Sequence, residues 1–385
     1  MDKRIKDKFE KEYGLKPEEC FTCGGRFEVL GNHTDHNHGL CLAATCNLEI
    51  TAAVRRRDDL MMNLLSEGYP KLSIDLSNLD IDDKEYGNSS TLMRGIARYL
   101  KDRGYKIGGL DIYSSSTVFR GAGVSSSAAF ELIIAEMFNY MFNEDKIDRM
   151  LLCKAGQYAE NVYFGKKSGL LDQIGVGYGG LVYIDFNDIE NPKVRTLKFP
   201  FEDLTFVIVN TGGSHAHLSH LYSQIPADMK RASTILGVEY LNESNVEKLL
   251  QNKDKFEESV FNRALHFYTE NERVRMAVDA IERKDKALFL EAINDSRVSS
   301  TEYLKNMMVE GQYEGSPLEA CDLAVEILQD KGAIKINGGG FMGSCIACVD
   351  NSIKDEFIEK MAKKYGKENI CPVSIKDSGP SVVKI

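Results

Sequence analysis

Three segments of this chain concentrate groups that can do chemistry. The first is Gly25-Arg-Phe-Glu-Val-Leu-Gly-Asn-His-Thr-Asp-His-Asn-His-Gly39, where a short strand ends in a polar loop crowded with Arg26, Asn32, His33, Asp35, His36 and His38. Planar donors and carboxylate acceptors at such short spacing suit a polyhydroxylated ring, since each hydroxyl both donates and accepts. A metal site drawn from His33, Asp35, His36 and His38 competes with that reading. Alternation along an extended loop turns His36 away from the neighbours of His33, and no matching ligand pair follows downstream. The plainest alternative is a solvated loop.

The second segment is Val118-Phe-Arg-Gly-Ala-Gly-Val-Ser-Ser-Ser-Ala-Ala-Phe-Glu131, which feeds a helical pattern reaching about Phe142. Gly121 and Gly123 permit close backbone approach, and Ser125, Ser126 and Ser127 offer hydroxyls. The amides of the first helical turn have no carbonyl four residues back, so phosphate oxygens would meet donors and a favourable dipole. The spacing is neither G-x-x-x-x-G-K-[ST] nor G-x-G-x-x-G, which disfavours two common nucleotide folds. An ordinary serine N-cap explains the same residues without a ligand. The third segment, Ile336-Asn-Gly-Gly-Gly-Phe-Met-Gly-Ser-Cys345, is a strand and glycine loop that could lie against a ligand or against the first loop. Asp172, in Ser168-Gly-Leu-Leu-Asp-Gln173, sits among apolar residues, where an ionised carboxylate needs a partner such as an arginine.

The elements that must position these groups are a mixture of strands and helices. Cys41–Arg55, Leu72–Leu76, Leu110–Ser114 and the run 180–185 read as strands, and Ser89–Asp102 reads as a helix. Asn, Asp and Pro break the pattern around Asn187–Pro200 before a β-rich run, Leu204–Asn210, begins. The division falls there, into a domain of residues 1–195 with the first two segments and a domain of residues 196–385 with the third. The later part is mostly helical, with one long charged amphipathic stretch over Phe256–Glu291, until Ala333–Asn337 and Cys345–Val349 supply strands. The class is α+β.

Composition narrows the functional range. A length of 385 residues exceeds what one core usually holds and favours two closely packed domains. With 58 acidic against 48 basic residues the formal charge is -10, which would repel a nucleic-acid backbone or an anionic membrane surface, and no local basic patch offsets it. No run of 18 apolar residues and no leader-like start is present, so the expected location is cytoplasmic. The nine cysteines are dispersed and odd in number, which argues for reduced thiols. Cys20/Cys23 and Cys345/Cys348 could be imagined as one zinc site, but residues three apart on a strand face opposite ways.

In this order the segments resemble the GHMP kinases, and within them the galactokinase group, from about Arg26 to Gly343. Gly25 to Asp35 resembles the sugar signature, Gly121–Ala129 the phosphate loop and Gly338–Gly343 the third glycine motif. Glu160, twelve positions before Asp172, matches the relation between the magnesium-binding acid and the catalytic aspartate. The resemblance implies a two-domain fold, with an S5-domain-2-like N-terminal part and a ferredoxin-like α/β sandwich behind it. It further implies ATP-dependent phosphorylation of the anomeric (C1) hydroxyl of galactose. ATP would rest on Gly121, Gly123, Ser125, Ser126, Ser127 and Ala128, with Mg²⁺ on Ser127 and Glu160. The sugar would contact Arg26, Asn32, His33, Asp35, Gly169, Asp172 and Tyr222, with Asp172 and Arg26 catalytic. The expected partners are thus a small sugar and ATP, without nucleic acid or membrane, in a monomer or weak homo-oligomer.

Three departures bear on the substrate. Galactokinases typically carry Glu where this chain has Asn32, Tyr where it has His36 and Asn where it has Glu28. An amide at position 32 removes a like-charge clash with a uronic acid, about 4 kcal/mol at contact distance and an effective dielectric of ~20, so galacturonate is the alternative substrate. Against it, no Arg or Lys is identifiable near Asn32. A non-catalytic sugar sensor is a second alternative, opposed by the presence of Arg26, Asp172 and an intact Ser125–Ala129. A metal-dependent hydrolase on His33, Asp35, His215, His217 and His220 is a third.

Overall fold

A computed structural model describes residues 3–81, 83–118, 123–212 and 218–383. The chain opens with α1 (Lys3–Tyr13), β1 (Glu19–Leu30), β2 (Leu40–Arg56), β3 (Met61–Ser66) and β4 (Leu72–Asp75). It continues through α2 (Ser89–Asp102), β5 (Leu110–Ser116), α3 (Ser126–Asn143), α4 (Arg149–Tyr158), α5 (Leu171–Gly177), β6 (Leu181–Asp185) and β7 (Lys193–Leu197). The second half runs β8 (Leu204–Asn210), α6 (Ser219–Leu236), α7 (Val246–Gln251), α8 (Glu258–Arg283) and α9 (Lys286–Ser299). It closes with α10 (Pro317–Leu328), β9 (Gly332–Asn337), β10 (Ser344–Asp350), α11 (Lys354–Tyr365), β11 (Ile370–Val373) and β12 (Ser381–Val382).

The first sheet has the order β12-β1-β2-β5-β3-β4, with β6 on β2 and β7 on β6. The second has the antiparallel order β11-β8-β10-β9. One core fills the space between the first sheet and the helices α2 to α5. The opposite face of that sheet, through Phe27, Val29 and Leu42, shares a second core with Val274 and Phe289 of α8 and α9 and with Ile346 of β10. Two halves that bury apolar surface in common form an interface far drier than a hinge would need. A boundary at residue 195 cuts β7, which belongs to the first sheet, and β12 returns from the chain's end to pair with β1.

Local sequence explains the elements that matter for the site. α3 is apolar almost all round and correspondingly buried, the expected state of a central helix. The charged stretch over 256–291 is not one helix: Lys284 takes a left-handed conformation at φ 59°, and Asp285 accepts from the Leu288 N–H to start α9. β1 has a register shift between Gly24 and Arg26, a bulge that re-aims the following side chain. Gly25 sits in that bulge because a Cβ there would overlap the carbonyl of Val124, to which the Arg26 N–H donates at 2.9 Å. The two pairs of thiols imagined as one zinc site lie in four different cores.

Candidate active site

The bulge in β1 delivers the Arg26 guanidinium to the first turn of α5, which carries Asp172. Nε and Nη2 both donate to Asp172 Oδ1, at 2.9 and 2.7 Å, and Nη1 donates to the Gly123 carbonyl at 2.9 Å. Asp172 Oδ2 accepts from Ser125 Oγ at 2.6 Å. The arginine side chain is 7% exposed and that of the aspartate 30%, so the carboxylate keeps an open side in the cleft. Burial pushes the Asp172 carboxyl upward, but the Arg26 charge and the hydrogen bonds from Ser125 and Arg26 outweigh it and hold the group below the usual carboxylate range. An ionised acceptor fixed by a permanent cation results.

The polar loop between β1 and β2 turns through Gly31 at φ 99°, His33 at φ 58° and His38 at φ 62°. Left-handed backbone at two histidines costs about 1–3 kcal/mol each and needs outside support. α8 supplies it. Glu270 Oε1 accepts from the Gly31 and Asn32 N–H groups at 3.0 and 3.3 Å, and His266 Nε2 donates to the Asn32 carbonyl at 2.9 Å. Asn271 Oδ1 accepts from the Leu40 N–H at 2.7 Å, closing the far end of the loop. Asp35 is thereby brought against Gly169, where any Cβ would overlap its Oδ2. Burial lifts the Asp35 carboxyl to about 6, and the charges of Glu28 and Asp172 act in the same direction.

The remaining histidines face different partners. His33 Nε2 donates to the Gly339 carbonyl at 2.9 Å, and burial lowers its pKa. His36 Nδ1 accepts from the Asn37 amide at 2.9 Å, and the His38 ring stacks on Tyr240 at 3.7 Å. His220 lies exposed on α6, while His215 and His217 fall outside the described residues. Asn32, expected against the sugar, is 1% exposed and its amide is engaged. Nδ2 donates to Glu28 Oε1 at 3.0 Å and to the Gly338 carbonyl at 2.7 Å, and Oδ1 accepts from Asn306 Nδ2 at 2.8 Å. The hydroxyl of Tyr222 donates to the Gly340 carbonyl at 2.6 Å, which turns it onto the glycine loop.

Gly121 lies outside the described residues; Gly123, Ser125, Ser126, Ser127 and Ala128 lie at the start of α3. Ser125 is left-handed at φ 50°, and its side chain does not cap the helix. The ordinary N-cap reading therefore fails, because the hydroxyl is committed to Asp172. Ser127 Oγ faces Glu160 Oε1 at 3.4 Å. Glu160 is 3% exposed, on a π-turn (Ala159–Phe164) that extends α4, and accepts from Lys166, Ser168 and Gln173. π-turns in helices are frequent at functional sites. A carboxylate and a hydroxyl beside a helix N-terminus are hard oxygen donors of the kind Mg²⁺ takes alongside phosphate oxygens.

The third glycine segment ties these parts together. Asn337 Oδ1 accepts from the Glu28 N–H at 3.0 Å, and its Nδ2 donates to the Gly123 carbonyl at 3.1 Å. Lys335 Nζ, 0% exposed, donates to Glu28 Oε1 at 2.8 Å. A cation does therefore stand close to Asn32, contrary to the reading of neighbouring sequence. Its signal was a lysine between Ile334 and Ile336 in an otherwise apolar strand. Glu270 and His266 left no comparable mark, since charged residues on a helix usually face water.

The galactokinase galactose-binding signature matches residues 7–56, and the GHMP kinases N terminal domain matches residues 91–180. The galactokinase of Clostridium tetani is 32% identical over 375 residues, covering 94% of this chain and 92% of its own. That of Lactococcus lactis subsp. lactis is 30% identical over 371 residues, covering 94% and 90%. A crystal structure of Lactococcus lactis galactokinase complexed with galactose has a TM-score of 0.85 at 26% identity, covering 99% of both chains. A mevalonate kinase structure, at 16% identity and a TM-score of 0.65 over 93% of this chain and 99% of its own, shares the fold.

Proposed function

The chain belongs to the galactokinase family and is a sugar kinase; we propose that it transfers the γ-phosphoryl group of ATP to the anomeric hydroxyl of galactose. The observation that carries this reading is the convergence of Arg26, Asp172 and Ser125 between the polar loop and the start of α3. Asp172 accepts a hydrogen bond from the C1 hydroxyl and takes its proton as the new O–P bond forms and the bond from the γ-phosphorus to the bridging oxygen breaks, releasing ADP. Arg26 keeps that carboxylate ionised and offsets charge developing where the phosphoryl group passes. Loose phosphoryl-transfer transition states need little activation of the nucleophile, so fixed alignment of the two substrates supplies much of the rate. The phosphates would lie on the N–H groups of Ser126, Ser127 and Ala128. Ser127 and Glu160 would hold Mg²⁺, which would supply charge neutralisation for the phosphates. ATP as donor and the free cysteines fit a cytoplasmic site of action.

ADP release measured against galactose, galacturonate, N-acetylgalactosamine, arabinose and glucose tests the assignment. Galactose is expected to be fastest, with phosphate on C1 of the product. Faster release with galacturonate would replace it as substrate. The case for galactose over a uronic acid rests on Lys335, whose ammonium is already paired with Glu28 and is thus not free for a substrate carboxylate.

Asp35 gives the reaction a pH signature. Its carboxyl titrates at about 6, so it is protonated below that value and accepts fully from sugar hydroxyls only above it. Sugar kcat/KM is expected to rise through pH 6 in the wild type. Asp35→Asn should remove that limb along with most of the sugar affinity; a limb that survives the substitution would assign it elsewhere.

A further inference from the structure

The buried ion pair between Glu28 of β1 and Lys335 of β9 has no part in the mechanism above, yet it lies directly behind the polar loop. Glu28 and Arg26 stand two apart in regular register on β1, opposite Ala43 and Thr45, and so share one face of the sheet. The Glu28 side chain is 4% exposed and that of Lys335 0%, with Nζ and Oε1 2.8 Å apart. Lys335 Nζ also donates to the Ile336 carbonyl at 2.7 Å. Asn32 Nδ2 reaches both carboxylate oxygens, at 3.0 and 3.4 Å. The charge of Glu28 is felt at His33 and Asp35, and that of Lys335 at His33.

Two desolvated charges that cancel make an expensive way to fill space, since apolar residues of similar volume do as well or better for stability. Their presence points to a field rather than to stability. Resting on the sugar-kinase reading, we infer that the Glu28–Lys335 pair is a specificity-determining device that holds the floor of the sugar site electrically neutral and so favours a neutral hexose over its 6-carboxylate. Cut off from water, either charge left alone would act on a bound sugar with little screening. With Glu28 neutralised, the free ammonium would attract a uronic acid; with an added negative charge beside the pair, the acid would be repelled. Asn32 is the contact between the pair and the loop, and its amide orientation is fixed by Asn306 on one side and Gly338 on the other.

Glu28→Gln keeps the shape and an acceptor for both Lys335 and Asn32. The quantity to read is the inhibition constant of galacturonate against galactose phosphorylation, divided by the KM for galactose, so that a general loss of activity cancels. That ratio is expected to fall about tenfold or more in Glu28→Gln and to return toward the wild-type value in the charge-free double variant Glu28→Gln/Lys335→Met. Asn32→Asp approaches from the other side and should raise the ratio by a similar factor; it also decides the matter where Glu28→Gln is insoluble. A ratio unchanged in soluble Glu28→Gln, a fall that persists in the double variant, or a ratio unmoved by Asn32→Asp would each overturn the inference. A wild-type chain unable to phosphorylate galactose would instead defeat the sugar-kinase reading on which this one rests.

Discussion

Asp172→Asn is expected to lower kcat by about 10²–10⁴-fold while leaving the KM for ATP nearly unchanged. The substitution conserves volume and an acceptor for Ser125 Oγ, which donates at 2.6 Å, so the start of α3 keeps its support. What disappears is the negative charge and the ability to receive a proton. Arg26, 7% exposed, also loses its counter-charge, and the guanidinium then competes for whatever oxygen enters the cleft. Steady-state kinetics with both substrates varied separates these effects, because an interaction made only at the transition state lowers kcat and kcat/KM together. A loss below about tenfold would mean that alignment alone carries the reaction and that the carboxylate is a positioning group.

Arg26→Met is expected to cost roughly 10²–10³ in kcat and to change its pH dependence. In the native site burial raises the Asp172 carboxyl, and the Arg26 charge together with the hydrogen bonds from Ser125 and Arg26 more than offsets it. Without the guanidinium burial prevails, Asp172 is partly protonated near neutrality, and residual turnover should climb as pH is raised. The native pair also stabilises the fold above the ordinary carboxylate range, and that contribution is lost as pH falls through the depressed pKa of Asp172. The variant should accordingly show a flatter dependence of stability on acid pH. A pH–rate profile parallel to that of the wild type would show that Arg26 does not set the ionisation of Asp172.

Much of the site was legible because its residues are of unusual type for their surroundings. An aspartate among leucines and an arginine entering a histidine-rich loop each demand a partner, though the two stand 146 positions apart. The helix Ser89–Asp102 and the strand Leu204–Asn210 also occupy their expected positions, because hydrophobic period and turn residues agree there. The break at Lys284 leaves no mark in the sequence, since a single left-handed residue in a charged stretch barely disturbs a helical pattern. Contacts across the halves were the least visible. Asn337, Glu270 and His266 act on distant backbone groups and Lys335 on a distant carboxylate, and nothing local distinguishes a lysine that pairs from one that snorkels. The Asn32 amide is held by Glu28, Asn306 and the Gly338 carbonyl, two of them from the far half of the chain, so its engagement could not be read from the loop alone.

The commitment of the Ser125 hydroxyl to Asp172, rather than to the N-terminus it begins, links two binding events that chemistry alone would leave separate. On the proposed function, a nucleotide settling onto those backbone amides would pull on the residue that steadies the acceptor's base, and a sugar engaging that base would pull back. Thermodynamic linkage then requires each substrate to alter the other's affinity by one and the same factor. Coupling between donor and acceptor is thereby routed through a single side chain.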